Sequence, residues 1–164
     1  LSLYLLQPRR LFDYLDYIYS QTDVHLSYGY VCYFKDYIKI AREIPKDKII
    51  VDVGCSFGLQ QLLFKEHKRY IGIQKFKEGI NAGAEYKANF SILTNNAEMI
   101  QKRFKDITAE ELGWNTENQD QFFGIANHSL WHDITDNKED IELFKRLFPK
   151  NHYATTEMGE MIKF

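Results

Sequence analysis

The sequence predicts one α/β domain in which helices cover both faces of a mostly parallel sheet. From about residue 46 onward, short β-branched runs alternate with apolar stripes of helical spacing. The first of these runs ends at a glycine-rich turn. The 164 residues, 45% of them hydrophobic, have room and apolar content for one such core. We therefore expect a single domain over 1–164, with a helical extension or lid at 1–45 and an α/β core at 46–164.

The first 45 residues predict two extra amino-terminal helices joined by a connection at 27–30. One apolar stripe follows Pro8, a favourable first-turn residue, and a second ends at Pro45. Tyr28 and Tyr30 are candidates to close over a site in the core, and ordinary helix packing is the alternative. The stripe residues are Leu11, Leu15 and Ile18 in the first helix and Val31, Phe34, Ile38 and Ala41 in the second.

Short apolar runs in the remaining sequence predict five strands, with helical stripes between them. Strands that alternate with helices in this rhythm imply a parallel sheet with right-handed crossovers. The polar segment 106–120 indicates a loop or a frayed helix. The predicted strands are 49–53, 70–73, 90–93, 122–126 and 152–156. The predicted helices carry Leu59, Leu62 and Leu63, then residues 75–84, then Met99, Ile100 and Phe104, and finally Ile141, Phe144 and Leu147 before Pro149.

The turn after the first strand, residues 52–58, has the pattern D-x-G-x-x-x-G. In open α/β sheets a ligand binds beyond the carboxyl ends of the strands, so this turn marks the expected site. Ser56 stands where a dinucleotide-binding turn has its second glycine, which disfavours a nicotinamide-dependent oxidoreductase. No lysine and hydroxyl pair follows Gly58, which removes a nucleoside triphosphate-binding loop.

Four segments together resemble the class I S-adenosylmethionine-dependent methyltransferase family. They are KIIVDVGCSFG, RYIGIQ, FSILTNNAEMI and DQFFGIANHSLWHD, in the family's order across about residues 46–157. The resemblance implies a three-layer, Rossmann-like methyltransferase fold. The family's sheet usually finishes with an antiparallel hairpin, and only a short tail follows the fifth predicted strand. Either those strands are missing from this sequence, or the sheet ends early and a partner covers its edge. An uncovered sheet edge makes a homodimer a reasonable expectation.

The resemblance also implies a site for S-adenosylmethionine. The glycine turn would lie against the methionine part and the ribose of the cofactor. Gln74 occupies the position of an acidic ribose ligand, and losing that charge weakens binding by about 1 kcal/mol. Asn96 and Ala97, with Glu98, would face the adenine, and Asn127 with His128 would border the sulfonium and the acceptor. The implied cofactor-binding residues are Asp52, Gly54, Cys55, Gly58, Gln74, Asn96, Ala97, Glu98 and Asn127.

His128 and His132, with Asp133 nearby, are the titratable side chains best placed for acid–base catalysis. The alternative is that His128 caps the strand and His132 lies at the surface. Their H-x-x-x-H spacing lacks the glutamate of the H-E-x-x-H zinc motif, so we expect no metal. Methyl transfer needs mainly a nucleophile held in line with the methyl group. Trp131 either stacks on a planar acceptor or fills a gap in the core.

The sequence favours a small-molecule acceptor, with a protein acceptor left open. Asn127 is followed by His128 and Ser129, without the two prolines or the cysteine of the DNA base methyltransferases in this family. A net charge of −2 argues against a nucleic-acid partner. No apolar run approaches the roughly 18 residues of a membrane span, and we expect a cytoplasmic protein. A non-catalytic binding module with the same fold is the alternative function.

Overall fold

Five parallel strands form the sheet in the computed structural model, which describes residues 28–56, 58–75 and 92–164. The strand order is β3-β2-β1-β4-β5, and every neighbouring pair is parallel. The order steps outward from β1 in both directions, which is the Rossmann-like arrangement with its switch point beside β1. The strands are β1 Ile49–Val53, β2 Arg69–Ile73, β3 Ala97–Ile100, β4 Phe122–Ala126 and β5 His152–Ala154. The predicted α/β fold class is confirmed.

Helices connect β1 to β2, β3 to β4 and β4 to β5, and they flank the sheet. The α-helices are α1 Tyr28–Glu43, α2 Ala109–Leu112 and α3 Lys138–Leu147. A capping box at Thr108 and Glu111 begins α2. Short 3-10 helices cover Leu59–Phe64, Phe104–Asp106, Gln119–Gln121 and Leu130–His132. Within the part of the chain described here, no helix is long and apolar enough to cross a membrane.

Alternating residues of the central strands divide the core into two clusters, one on each face of the sheet. All five β1 residues are buried, as expected of a strand covered on both sides. On one face, Ile50 packs in a cluster with Ile40 of α1 and Phe64. On the other, Val51 packs in a cluster with Phe144 of α3. The domain therefore has three layers, and the described helix of the amino-terminal extension belongs to one of them.

One prediction about the amino-terminal region changes, and another falls outside the described residues. Residues 28–30 lie in α1, not in a connection, and the first predicted helix lies outside the described residues. Tyr28 and Tyr30 lie in α1, and their side chains are outside the described part. Among the described side chains, Tyr37, Ile40 and Ala41 of α1 and the following Ile44 are buried.

The third strand differs most from its prediction. Residues 92 and 93 are outside any strand, and β3 instead covers Ala97–Ile100, where a helix was predicted. The predicted helix at 75–84 lies almost wholly outside the described residues. Met99 explains the strand, because a Cβ on Gly72 would lie 2.6 Å from its sulfur and one on Gly58 2.6 Å from its methyl carbon. The methionine fills the space that these two glycines leave, which fixes β3 beside β2.

The tail after β5 folds back along the sheet edge. Thr155 and Met161 form one antiparallel bridge, and the Ile162 N–H donates to the Ala154 carbonyl over 2.8 Å. The Phe164 ring stacks on His152 with centroids 3.9 Å apart. One residue pair of a returning antiparallel strand is thus present, and the tail covers part of the β5 edge. The homodimer remains a prediction.

Candidate functional site

A cleft of about 430 Å³ opens at the carboxyl ends of the strands. Its lining includes the residues that directly follow four strands, namely 54–56 after β1, 74–75 after β2, 102–104 after β3 and 127–129 after β4. Among the described residues, the non-glycine positions with positive φ are Ser56 at 53° and His128 at 51°, and both line this cleft. Left-handed backbone at such residues is strained and concentrates at functional sites. The geometry therefore places the candidate site at the switch point, as the sequence predicted.

The two glycines of the turn serve close packing inside the protein. Gly54 has φ 78° and Gly58 has φ 71°, a conformation that favours glycine. A Cβ on Gly54 would lie 2.3 Å from the Cβ of Ser129, and Met99 occupies the corresponding space at Gly58. Gly54 contributes to the cleft lining, whereas Gly58 does not. The space beside these α-carbons is thus filled by side chains, contrary to the expectation of bare main chain at both glycines.

The backbone amides of the turn are already paired. The N–H groups of Gly54 and Cys55 donate to the Ile73 carbonyl over 2.8 and 3.1 Å. The Ser56 N–H donates to Gln74 Oε1 over 2.9 Å. These three amides have no free N–H to hold a phosphate, and Ser56 at the position of the second glycine disfavours a dinucleotide-binding turn in the same way.

Asp52 lies beneath the turn and not in the cleft lining. Its side chain is fully buried and accepts hydrogen bonds from Tyr37 Oη at 2.9 Å, Tyr70 Oη at 2.6 Å and Gln60 Nε2 at 2.7 Å. Burial raises its pKa to about 6, and the three hydrogen bonds oppose that rise only in part. Gln60 also donates to the Cys55 carbonyl over 2.9 Å, which links the carboxyl group to the turn. Asp52 therefore braces the turn from below.

Cys55 borders the cleft as a fully buried residue. Its thiol is fully buried, and a Cβ on Gly72 would lie 3.0 Å from the sulfur. Burial raises the pKa of this thiol well above its usual value, with the Asp52 charge adding to the rise. A buried thiol held in its neutral form is a poor nucleophile.

Gln74 lines the cleft, and one of the two polar atoms of its side-chain amide already has a hydrogen-bond partner. Its Oε1 accepts the Ser56 N–H, so the carbonyl oxygen that was expected to face ribose hydroxyls already has a partner. The Nε2 group is left to donate toward a ligand. Gln74 can thus still contact a ribose, by donating to a hydroxyl oxygen.

The structure does not bring Asn96, Ala97 and Glu98 to the cleft. They stand at the amino end of β3, and the cleft lies at the carboxyl ends of the parallel strands. The Asn96 amide donates to the carbonyls of Phe64 and His67 over 2.9 Å each, and Glu98 pairs with Arg69. The expected adenine contacts are wrong in position because the true third strand begins after Asn96.

Lys102 and Arg103 take the place after β3 that was expected for Asn96 and Ala97. Both line the cleft, and neither was singled out from the sequence. The sequence pattern that could have identified them is the run Ala97–Ile100 followed by polar residues. Residues that line a site of this kind come directly after a strand. Their ammonium and guanidinium groups are donors only, so they cannot accept from an adenine amino group.

Asn127 lies in the cleft with half of its amide unsatisfied. The residue is 5% exposed, and its Oδ1 accepts from the Thr155 hydroxyl over 3.1 Å. Its buried Nδ2 has no acceptor among the residues that the structure describes. Leaving a buried donor unpaired costs about 1–3 kcal/mol, which a ligand acceptor atom would recover. Asn127 is thus the predicted site residue with the strongest structural signature.

His128 and His132 occupy different environments on the cleft. The His128 ring lies 3.0 Å from the Glu157 carbonyl through Nδ1 and 3.1 Å from Asp36 Oδ2 through Nε2. Both ring nitrogens therefore lie beside acceptor atoms, which hold the ring in place from two sides. The His132 side chain is 63% exposed at the rim, with Nδ1 3.9 Å from a Glu157 carboxylate oxygen. Of the two histidines, His132 is thus the one whose ring is exposed to solvent.

Trp131 packs against apolar rings away from the cleft lining. Its ring meets Phe144 edge-on with centroids 5.9 Å apart and stacks on Phe164 at 6.0 Å. Of the two roles expected for it, the structure favours the filling of a gap. Among the described residues, no group of three or more His, Cys, Asp or Glu side chains could hold a metal ion.

Fold and site together define a Rossmann-like α/β domain with a cleft at its switch point. No protein-family model matches the chain, and no curated protein matches it. Among solved structures, the chain is similar to a putative S-adenosylmethionine-dependent methyltransferase from Listeria monocytogenes at 19% identity and a TM-score of 0.38. The match covers 65% of this chain and 46% of that chain, so the chain spans less than half of that structure. The fold class rests on the strand order and register described above.

Proposed function

We propose that the protein is an S-adenosylmethionine-dependent methyltransferase that acts on a small-molecule acceptor. The observation that supports it is the cleft at the carboxyl ends of β1, β2 and β4, where the turn 54–56 meets Gln74 and Asn127. A volume of about 430 Å³ lies within the range of small-ligand sites. The four sequence segments that resemble the methyltransferase family supply the choice of cofactor.

The residues of the cleft fit the cofactor through donors and main-chain atoms. Gln74 Nε2 would donate to a ribose oxygen, and the buried Asn127 Nδ2 would donate to an acceptor atom of the cofactor's methionine part or of the substrate. When bound, S-adenosylmethionine supplies a methyl group on a leaving thioether that is already activated. The protein then has to orient the acceptor, exclude water and, where the acceptor arrives protonated, take up a proton at the exposed His132 ring.

Calorimetric titration of the full chain with S-adenosylmethionine and S-adenosylhomocysteine tests this proposal. We expect micromolar binding that Gln74→Ala weakens roughly fivefold, since one hydrogen bond contributes about 1 kcal/mol. Gln119→Ala is the matched control, because Gln119 is exposed and lies outside the cleft lining. No heat of binding at millimolar ligand would contradict the proposal.

A non-catalytic binding module is the second candidate. The contacts of both His128 nitrogens with Glu157 and Asp36 favour it, because a ring held on both sides is poorly placed to reach a substrate. The two functions differ in what happens to bound S-adenosylmethionine. Release of S-adenosylhomocysteine during incubation with small carboxylate, phosphate and amine metabolites supports the enzyme. Tight cofactor binding with no such release across the same metabolites, or no cofactor binding at all, supports the module.

A further inference from the structure

The wall of the cleft beyond β2 and β3 is basic, although the chain as a whole carries a net charge of −2. Among the described lining residues, Lys75, Lys102 and Arg103 are basic, and Asp140 is the one acidic side chain. These three cations follow two neighbouring strands of the sheet, so they come together at one side of the cleft. A cleft lined by one sign of charge attracts ligands of the other sign.

Arg103 is held in place by groups that leave part of its guanidinium free. Its Nη2 donates to Asp140 Oδ2 over 3.1 Å and to the Asp136 carbonyl over 2.7 Å. Asp140 Oδ1 in turn accepts the Lys105 N–H over 2.7 Å, so the carboxylate is shared with a backbone donor. Since a guanidinium has five N–H groups, these bonds orient it without exhausting it. Arg103 is therefore a preorganised cation.

Lys75 and Lys102 are available to a ligand. Lys75 is exposed and has no ion-pair partner among the described residues. Lys102 pairs with Glu111, and their side chains are 46% and 35% exposed. An exposed pair of this kind contributes at most about 1 kcal/mol, so Lys102 can turn to an anionic ligand at little cost.

The buried polar atoms of the cleft that lack a hydrogen-bond partner also favour an anionic ligand. Among the described lining residues, the buried side-chain polar atoms without a partner are Asn127 Nδ2 and Arg103 Nε, and both are donors. The matching acceptor, Asn127 Oδ1, is already used by Thr155. A ligand that completes this cleft must therefore be rich in acceptor oxygens, as carboxylates and phosphates are.

We propose that Lys75, Lys102 and Arg103 form an anion subsite that holds a carboxylate or phosphate group of the methyl acceptor. The assignment to an acceptor rests on the proposed function, whereas the anion subsite does not. Lys75 and Lys102 neutralise the incoming charge, and Arg103 presents fixed N–H groups to it. The acceptor is thus an anionic small molecule.

The test uses two probes, citrate for carboxylates and inorganic pyrophosphate for phosphates, titrated into the full chain at low ionic strength. We expect saturable binding of at least one probe. Lys75→Gln and Lys102→Gln should each weaken it roughly tenfold, since hydrogen bonds to charged groups are strong. Lys65→Gln is the matched control, because Lys65 is an exposed lysine outside the cleft lining, and it should leave the affinity unchanged. No saturable binding of either probe, or an equal loss in the control, would overturn the proposal.

A second arm separates the anion subsite from the proposed function. The titration is repeated with S-adenosylhomocysteine at saturation. Probe binding that persists supports an acceptor subsite, whereas competition means that the cations hold the cofactor's own carboxylate and overturns the assignment to the acceptor. If S-adenosylhomocysteine does not bind while the probes do, the proposed function fails and the anion subsite stands. Folding of each variant is checked by its urea midpoint.

Discussion

The buried carboxyl group of Asp52 should make the folded protein less stable as pH rises. Its ordinary pKa is 3.8, and burial raises it to about 6 in the folded state. Between these values the unfolded chain releases the proton while the folded chain keeps it, so unfolding becomes more favourable as pH rises. At about 1.4 kcal/mol per pH unit, the full effect is about 3 kcal/mol. Below pH 3.8 the effect is absent, and above pH 6 it is complete.

Asp52→Asn removes this ionisation and keeps a side chain of the same size. Urea unfolding of wild type and variant at pH 4, 5, 6 and 7 measures the difference in their free energies of unfolding. We expect the wild type to lose about 2 kcal/mol relative to the variant across that range, because half of the unfolded carboxyl groups are ionised near pH 3.8 already. Asp120→Asn, at an exposed carboxyl group, serves as the control.

Two outcomes would refute this reasoning about Asp52. One is a constant difference between wild type and Asp52→Asn from pH 4 to pH 7, which would mean that the carboxyl group ionises as easily in the folded as in the unfolded state. The other is a wild type that gains stability on the variant as pH rises, which would mean that the hydrogen bonds from Tyr37, Tyr70 and Gln60 outweigh burial.

Three further predictions concern Gly54, Gly113 and Gln74. Gly54→Ala should lower the free energy of unfolding by more than about 2 kcal/mol, because its Cβ would clash with Ser129 in addition to the backbone strain. Gly113→Ala has a similar φ of 70° but a nearest contact of 3.9 Å, so in urea unfolding it should lose only about 1 kcal/mol. Gln74→Glu should tighten S-adenosylmethionine binding roughly fivefold by calorimetry, since one carboxylate oxygen keeps the Ser56 N–H and the other accepts from the ribose. Unchanged or weaker binding would count against a ribose at this position.

The central strands could be predicted from the sequence because both of their faces are buried. Such strands are continuous apolar runs, and Ile49–Val53 and Phe122–Ala126 have the predicted bounds. β3 is an edge strand of four half-buried residues, so its composition does not distinguish it from a helix. Its position depends on the space beside Gly58 and Gly72, which only the folded chain shows.

The candidate site was predictable where it follows such strands and not elsewhere. The turn after β1 and Asn127 after β4 line the cleft as expected, whereas the displaced third strand concealed Lys102 and Arg103. The pairing of His128 with Asp36 joins residues 92 positions apart in the chain. No local sequence pattern reveals such a contact, so the position of the His128 ring beside Asp36 could not be predicted.

Met99 couples the residue types that positions 58, 72 and 99 can accept. Its sulfur and methyl carbon occupy the volume that side chains at Gly58 and Gly72 would need. An alanine at residue 72 therefore requires a side chain shorter than methionine at residue 99. A residue with a Cβ at position 58 requires the same change at 99, and it must also adopt the positive φ. Homologous chains should vary at these positions together, and a long side chain at 99 should always accompany glycine at the other two.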